Sequence, residues 1–196
     1  MFEDFNSAVV EVNGAHIFFR IKGKGEPLLL LHGFPQTHAM WAIIGPMLAK
    51  NYTVICSDLR GYGASGKPQG IEQYTFRQIG SDQLQLMTKL GFKRFHLVGH
   101  DRGGRTAHRM ALDAGGRVKS LTLMDIVPTY VLLNDLKREV AQAYYHWFFL
   151  SQPSPFPEKL ITADPDYFFQ NNLTAWGASS LSEYRKDQLQ AYRTAW

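Results

Sequence analysis

At 196 residues the chain is long enough for one domain with a substantial core, and 45% apolar with 19% charged residues is the balance of an ordinary globular protein. Its net charge of +4 is mild and comes with no lysine- or arginine-rich run, which argues against nucleic acid as a partner. The single cysteine, Cys56, cannot form an internal disulfide, and no stretch reads as a secretion signal or membrane span, so a cytoplasmic protein without a membrane partner is expected.

Two short strands are expected at residues 9–12 and 16–21, joined by Asn13-Gly14, the dipeptide best suited to a tight hairpin. Leu28-Leu-Leu-Leu31 is too short for a helix and is bounded by Pro27 and Gly33, so it reads as a strand buried on both faces. His32-Gly-Phe-Pro-Gln36 follows as a loop, then a helix over about 38–49 and a strand at 52–57. Asp58-Leu-Arg-Gly-Tyr-Gly63 opens a glycine-rich loop that runs to Pro68 and lacks the spacing of a dinucleotide fingerprint. Ile79, Leu84, Leu86, Met87 and Leu90 mark a helix over 75–90, with Gly91 placed as its C-terminal cap.

Leu97-Val-Gly-His-Asp-Arg-Gly-Gly104 is the stretch that carries chemistry. A short buried strand at 95–98 precedes it and a helical pattern at 103–113 follows. Glycines at 99 and 103 leave room for a sharp backbone turn that thrusts the residue between them out at the carboxyl end of the sheet. Most such elbows carry serine, which suits acyl transfer; here the position holds Asp101. A carboxylate suits attack on a saturated carbon, displacing a halide or opening an epoxide to leave an ester. The plainer reading is that Asp101 caps the next helix, but a cap needs no glycine on either side.

A strand at 119–125 comes next, and the alternation of strands with helices implies a mostly parallel sheet with helices on both faces, an α/β fold. Beyond Pro128 the character changes. Ten of the 33 residues from Tyr144 to Trp176 are aromatic, and four prolines interrupt them. This reads as a helical lid whose first long helix covers 131–150, giving a core over 1–127 and a lid over 128–196.

Taken together, His32-Gly-Phe-Pro-Gln36, Asp58-Leu-Arg-Gly-Tyr-Gly63, Gly99-His-Asp-Arg-Gly-Gly104, Asp125 and His146-Trp147 resemble the fluoroacetate (haloacetate) dehalogenases, α/β-hydrolases with an aspartate nucleophile. The resemblance runs through the whole chain. It implies Asp101 as nucleophile, Asp125 as the triad acid, and the backbone N–H groups of Phe34 and Arg102 as the oxyanion hole. It further implies Arg102 and Arg105 as the binders of the substrate carboxylate, His146 and Trp147 as the halide pocket, and Trp176 as pocket lining. The arginines also have a physical rationale. They lie three apart in the first turn of a helix, where N–H groups and the dipole already favour an anion, and a guanidinium holds a carboxylate at two points. Without the resemblance, His146 and Trp147 would read as packing and Asp125 as a turn residue. His100 and His108 read as structural, and Asp58, Arg60 and Ser65 as loop architecture. The substrate implied is a small haloacid; no cofactor and no metal is implied.

The resemblance places the family's general-base histidine, and its last two strands with their helices, beyond Trp196. The seven histidines of this chain fall on positions with other roles. The strand near Asp125 is therefore expected to have an open edge. A longer polypeptide, a segment supplied in trans by a second chain, or a truncated form would each account for this, and a homodimer is among the possibilities. Epoxide hydrolysis stays open through Tyr144, Tyr145 and Tyr167, and haloalkane dehalogenation gives the two arginines nothing to bind. A catalytically inactive binding protein is the alternative from a different class.

Overall fold

Asn13 and Gly14 take left-handed backbone angles (φ +47° and +73°), which close β1 (Asn6–Val12) onto β2 (Ala15–Lys22) with Val12 opposite Ala15. A computed structural model describes residues 1–175 and 180–196 of the chain. The described residues form two units, one of residues 1–126 with 185–195 and one of residues 127–184 with Trp196.

In the first unit, β3 (Glu26–Leu31), β4 (Tyr52–Ser57), β5 (Phe95–His100) and β6 (Val118–Met124) join the hairpin in a six-stranded sheet ordered β1-β2-β4-β3-β5-β6. The hairpin pairs antiparallel and the other four strands parallel. The four leucines of β3 sort by alternation. Leu29 and Leu31 face Ile55, Leu97 and the helices α2 (Phe76–Lys89) and α3 (Arg102–Asp113), through Ile79, Leu86, Ala107 and Met110. Leu28 and Leu30 pack on the other face with Phe2, Phe5, Trp41, Val54 and Cys56. Each buried leucine contributes about 1.5–3 kcal/mol relative to exposure, so β3 alone accounts for a large share of what holds the sheet. At its outer edge β6 carries Leu123 and Met124 more than a third exposed.

The expected helix over 38–49 is instead a 3-10 turn, His38–Ala42, followed by the short α1 (Ile44–Leu48). Pro46 accounts for the break, because it lacks an N–H and its ring crowds the carbonyl four residues back. The helix over 76–89 forms as its pattern predicts: the Thr75 side chain accepts a hydrogen bond from the Gln78 N–H (3.2 Å), and Gly91 (φ +84°) lies just past its end.

The second unit also corrects an expectation. The single long helix over 131–150 is three short ones, α4 (Thr129–Asn134), α5 (Arg138–Ala143) and α6 (Tyr145–Leu150). The Asn134 side-chain amide donates to the Tyr130 carbonyl (2.7 Å), Asp135 leaves helical geometry (φ −119°, ψ +47°), and Lys137 is extended. Two further helices, α7 (Phe156–Ala163) and α8 (Pro165–Thr174), each begin near a proline, where its missing N–H costs nothing. The last helix, α9 (Lys186–Ala195), groups with the first unit, whereas the expected lid of 128–196 included it. The buried Gln188 amide explains this, donating to the carbonyls of Ala39 (2.9 Å) and Met40 (3.3 Å), beside a fully buried Tyr192. Among the described residues no helix is long and apolar enough to cross a membrane.

One buried ion pair braces the first unit. Arg60 donates from Nε to Asp82 Oδ2 (2.7 Å) and from a terminal nitrogen to Oδ1 (2.8 Å), and reaches Gln73 (3.0 Å) and the Asn13 carbonyl (3.1 Å) as well. Both side chains are fully buried, so loop, helix α2 and hairpin turn are fixed through one guanidinium. Removing one partner strands a buried charge. Arg60→Met should lower stability by about 3–5 kcal/mol in urea unfolding followed by circular dichroism, and pairing it with Asp82→Leu should recover most of that loss.

Candidate active site

Strand β5 runs directly into Asp101, whose backbone (φ +48°, ψ −116°) lies where non-glycine residues rarely go. Holding it there costs on the order of 1–3 kcal/mol. The turn is possible because neighbouring backbone passes where side chains would be. A Cβ on Gly99 would sit 2.3 Å from the Gly103 carbonyl oxygen, and a Cβ on Gly103 would sit 2.4 Å from the oxygens of Leu31 and His32. The Asp101 N–H donates to the Met124 carbonyl (3.2 Å) and the Arg105 N–H donates to the Asp101 carbonyl (2.9 Å), tying the turn to β6 and to α3. The Asp101 side chain makes no capping bond to the helix. Its carboxylate instead accepts a hydrogen bond from the Phe34 N–H at Oδ1 (2.8 Å). Gly33 lets these two chains approach, since a Cβ there would lie 2.5 Å from the Asp101 Cβ.

His32 holds the loop that presents Phe34. Its ring is fully buried, with Nδ1 3.0 Å from the Gly33 carbonyl and Nε2 3.0 Å from the Leu59 N–H. A neutral ring protonated at Nδ1 satisfies both contacts, and burial pushes its pKa down to about 4 against the pull of Asp58. Burial alone would raise the Asp58 carboxyl, but hydrogen bonds from the His38 ring (2.8 Å) and backbone N–H (2.7 Å) outweigh it and hold the group below its usual range. The other Asp58 oxygen accepts from the Ala64 N–H (2.9 Å), and Ser65 bonds to the Asp58 carbonyl (2.7 Å), so Asp58, Arg60 and Ser65 all brace loops.

Arg102 and Arg105 occupy the first turn of α3, with Arg105 almost fully buried. The Arg102 guanidinium lies 5.1 Å from the Phe76 ring centre, and it opposes the rise in the Tyr62 phenol pKa that burial causes. Asp125 follows β6 in a left-handed conformation (φ +54°) with a largely exposed side chain, 3.7 Å from His100 Nε2. The structure thus gathers Phe34, Asp101, Arg102 and Arg105 at one end of the sheet, and places Asp125 just past the neighbouring strand. His32 and Tyr62 belong to the same surroundings but carried no signal in the sequence beyond sitting in the two glycine-rich loops.

In the second unit, His146 is buried on α6, with its ring stacked on Tyr144 (6.2 Å between centres) and edge-on to Tyr145 (5.8 Å). Trp147 meets Tyr144 edge-on at 5.3 Å. Trp176 lies outside the described residues. Among the described residues no group of three or more histidines, cysteines or carboxylates is placed to hold a metal ion.

Residues 26–193 match the model of the alpha/beta hydrolase fold. The chain belongs to that family. It is 54% identical to a fluoroacetate dehalogenase of Burkholderia sp, over all of this chain and 66% of the relative. It is 34% identical to a soluble epoxide hydrolase of Corynebacterium sp. strain C12, over 83% of this chain and 57% of that protein. The solved structure of ALR0039 from Nostoc sp PCC 7120 superposes with a TM-score of 0.96 at 46% identity, covering 100% of this chain and 68% of that one. This alpha/beta hydrolase chain therefore spans about two thirds of the length of the Burkholderia relative.

The buried neutral His32 gives a pH dependence of definite sign. Its folded pKa of about 4 lies below the ordinary 6.5, so as pH falls the unfolded chain takes up the proton first. The stability His32 contributes is complete above about pH 6.5 and is lost as pH falls towards 4, up to on the order of 3 kcal/mol. Urea unfolding between pH 7 and 4 should show this loss, and His32→Gln should flatten that part of the curve.

Proposed function

We propose that the chain carries the nucleophile and the substrate-carboxylate site of a hydrolase that dehalogenates short 2-haloacids, with fluoroacetate the first to test. The observation that carries this reading is the Asp101 carboxylate at the strained turn, accepting the Phe34 N–H at 2.8 Å with two arginines in the helix turn that follows. An Asp101 oxygen attacks the carbon bearing the halogen; the new C–O bond forms as the carbon–halogen bond breaks, and the halide leaves with the electron pair. Arg102 and Arg105 hold the acid's carboxylate and so align that carbon. Water then cleaves the aspartyl ester, with the N–H groups of Phe34 and Arg102 stabilising the tetrahedral oxyanion and a general base, oriented through Asp125, taking the proton. The second unit serves as lid, with His146 and Trp147 donating to the departing halide. Fluoride is a poor leaving group, so donors in a dry pocket are worth most there. The scheme calls for no metal and no cofactor. The 54% identity to the Burkholderia dehalogenase supports it.

Epoxide opening by the same aspartate is the second reading, favoured by the Corynebacterium relative. It assigns the lid tyrosines to protonation of the epoxide oxygen. The Tyr145 hydroxyl accepts from the side-chain amides of Asn171 and Asn172 (3.4 Å each), while Tyr167 is largely exposed. A neutral epoxide gives Arg102 and Arg105 no anion to hold, which ranks this reading second.

First-turnover halide release separates the readings. Asp101→Ala should abolish it. Arg105→Lys keeps the charge but loses the planar fork, and should slow haloacetate by about 2 kcal/mol, roughly thirtyfold, while leaving a neutral epoxide or haloalkane almost unaffected. Equal losses on acid and neutral substrates would make Arg105 a structural residue, and halide release by Asp101→Ala would overturn the nucleophile assignment.

A further inference from the structure

At the opposite end of β5 from Asp101 lies a second set of reactive side chains. His96, Ser120 and Glu26 come from three adjacent strands. His96 is paired in register with Ser120 of β6 on one side and with Leu28 of β3 on the other, two residues on from Glu26. The His96 Nδ1 is 2.7 Å from the Ser120 Oγ, and its Nε2 is 2.7 Å from the Glu26 Oε2. The Tyr52 ring meets the imidazole edge-on at 5.8 Å. Lys119 pairs with the other Glu26 oxygen, fixing the carboxylate from its far side. Ser120 is exposed and His96 only partly covered, so reagents have access.

The carboxylate decides the state of the ring. Lys119 and then His96 hold the Glu26 carboxyl far down, at about 2, so it is ionised at neutral pH and can only accept. The Nε2 facing it must therefore carry the hydrogen, which leaves Nδ1 of the neutral ring as an acceptor for the Ser120 hydroxyl. Serine, base and orienting carboxylate are then linked in the order that activates a nucleophile, with the two ring nitrogens exchanged relative to the usual triad.

We propose that Ser120, His96 and Glu26 form a second nucleophilic site, independent of Asp101, that takes small activated acyl esters. The Ser120 Oγ bonds to the acyl carbon as the bond to the leaving alcohol breaks. The serine proton passes to His96 Nδ1 and on to the departing alcoholate, so that the products are an acyl-serine and the free alcohol. The site lies open on the sheet, which restricts it to unhindered acyl groups with good leaving groups.

A fluorophosphonate probe tests this on the 196-residue protein, because its P–F bond breaks as the Oγ–P bond forms and fluoride leaves. Peptide mapping should find the label on Ser120 at a rate about tenfold or more above that of Ser7, an exposed serine of β1 paired in register with Arg20. Ser120→Ala should lose that labelled peptide, His96→Gln should slow labelling about tenfold or more, and Glu26→Gln, which keeps the shape, should slow it severalfold. p-Nitrophenyl acetate should acetylate the same residue. Labelling of Ser120 no faster than Ser7, or unchanged in a natively folded His96→Gln protein, would overturn the proposal.

Discussion

Everything the proposed chemistry needs depends on one close approach of backbone to backbone, where Gly99 and Gly103 let the end of β5 turn into α3 with Asp101 at φ +48°. The approach leaves no room for a Cβ at either glycine. It lifts the carboxylate away from the helix it would otherwise cap and sets it in front of the Phe34 N–H. A residue strained at a cost of order 1–3 kcal/mol persists only where its surroundings over-determine it. Here they do: β5 lies between β3 and β6, and the buried leucines of β3 fix the sheet on both faces.

The second determinant is how charge is handled around that turn. Arg105 is nearly buried, and Arg102 stacks against Phe76 beside Tyr62, so two cations stand in a helix turn that itself favours an anion. Behind the nucleophile the loops are held by groups whose protonation is fixed at neutral pH: His32 by burial, Asp58 by the hydrogen bonds of His38, Arg60 by Asp82. These groups keep the frame rigid without competing for a negatively charged substrate. Preorganisation of this kind places donors where charge develops.

The hairpin at Asn13-Gly14, the doubly buried β3, the helix capped by Thr75 and the elbow at Asp101 were legible because each has a local cause written in a few adjacent residues. The helix over 38–49 failed where Pro46 overrode an apolar pattern, and the one over 131–150 failed where the Asn134 side chain bonded the Tyr130 carbonyl and Asp135 left helical geometry. The place of α9 depends on Gln188 reaching carbonyls about 150 positions away, and the bracing by His32 depends on a contact between two loops. Neither has a period or a spacing to read. The same holds for Ser120, His96 and Glu26, which are scattered in sequence and meet only through strand register.

The account stands or falls on Asp101 acting as a nucleophile towards the carbon of a haloacid. Peptide mass spectrometry of the natively folded chain, acid-quenched during the first turnover with a haloacetate, reads this directly, because attack by a carboxylate oxygen forms the ester without a proton transfer. The account predicts a carboxymethyl ester on the peptide containing Asp101, labile to mild alkali and suppressed by excess acetate competing for Arg102 and Arg105. An Asp101 peptide that carries no ester in samples acid-quenched during the first turnover, from protein that keeps its fold and releases halide, would contradict it.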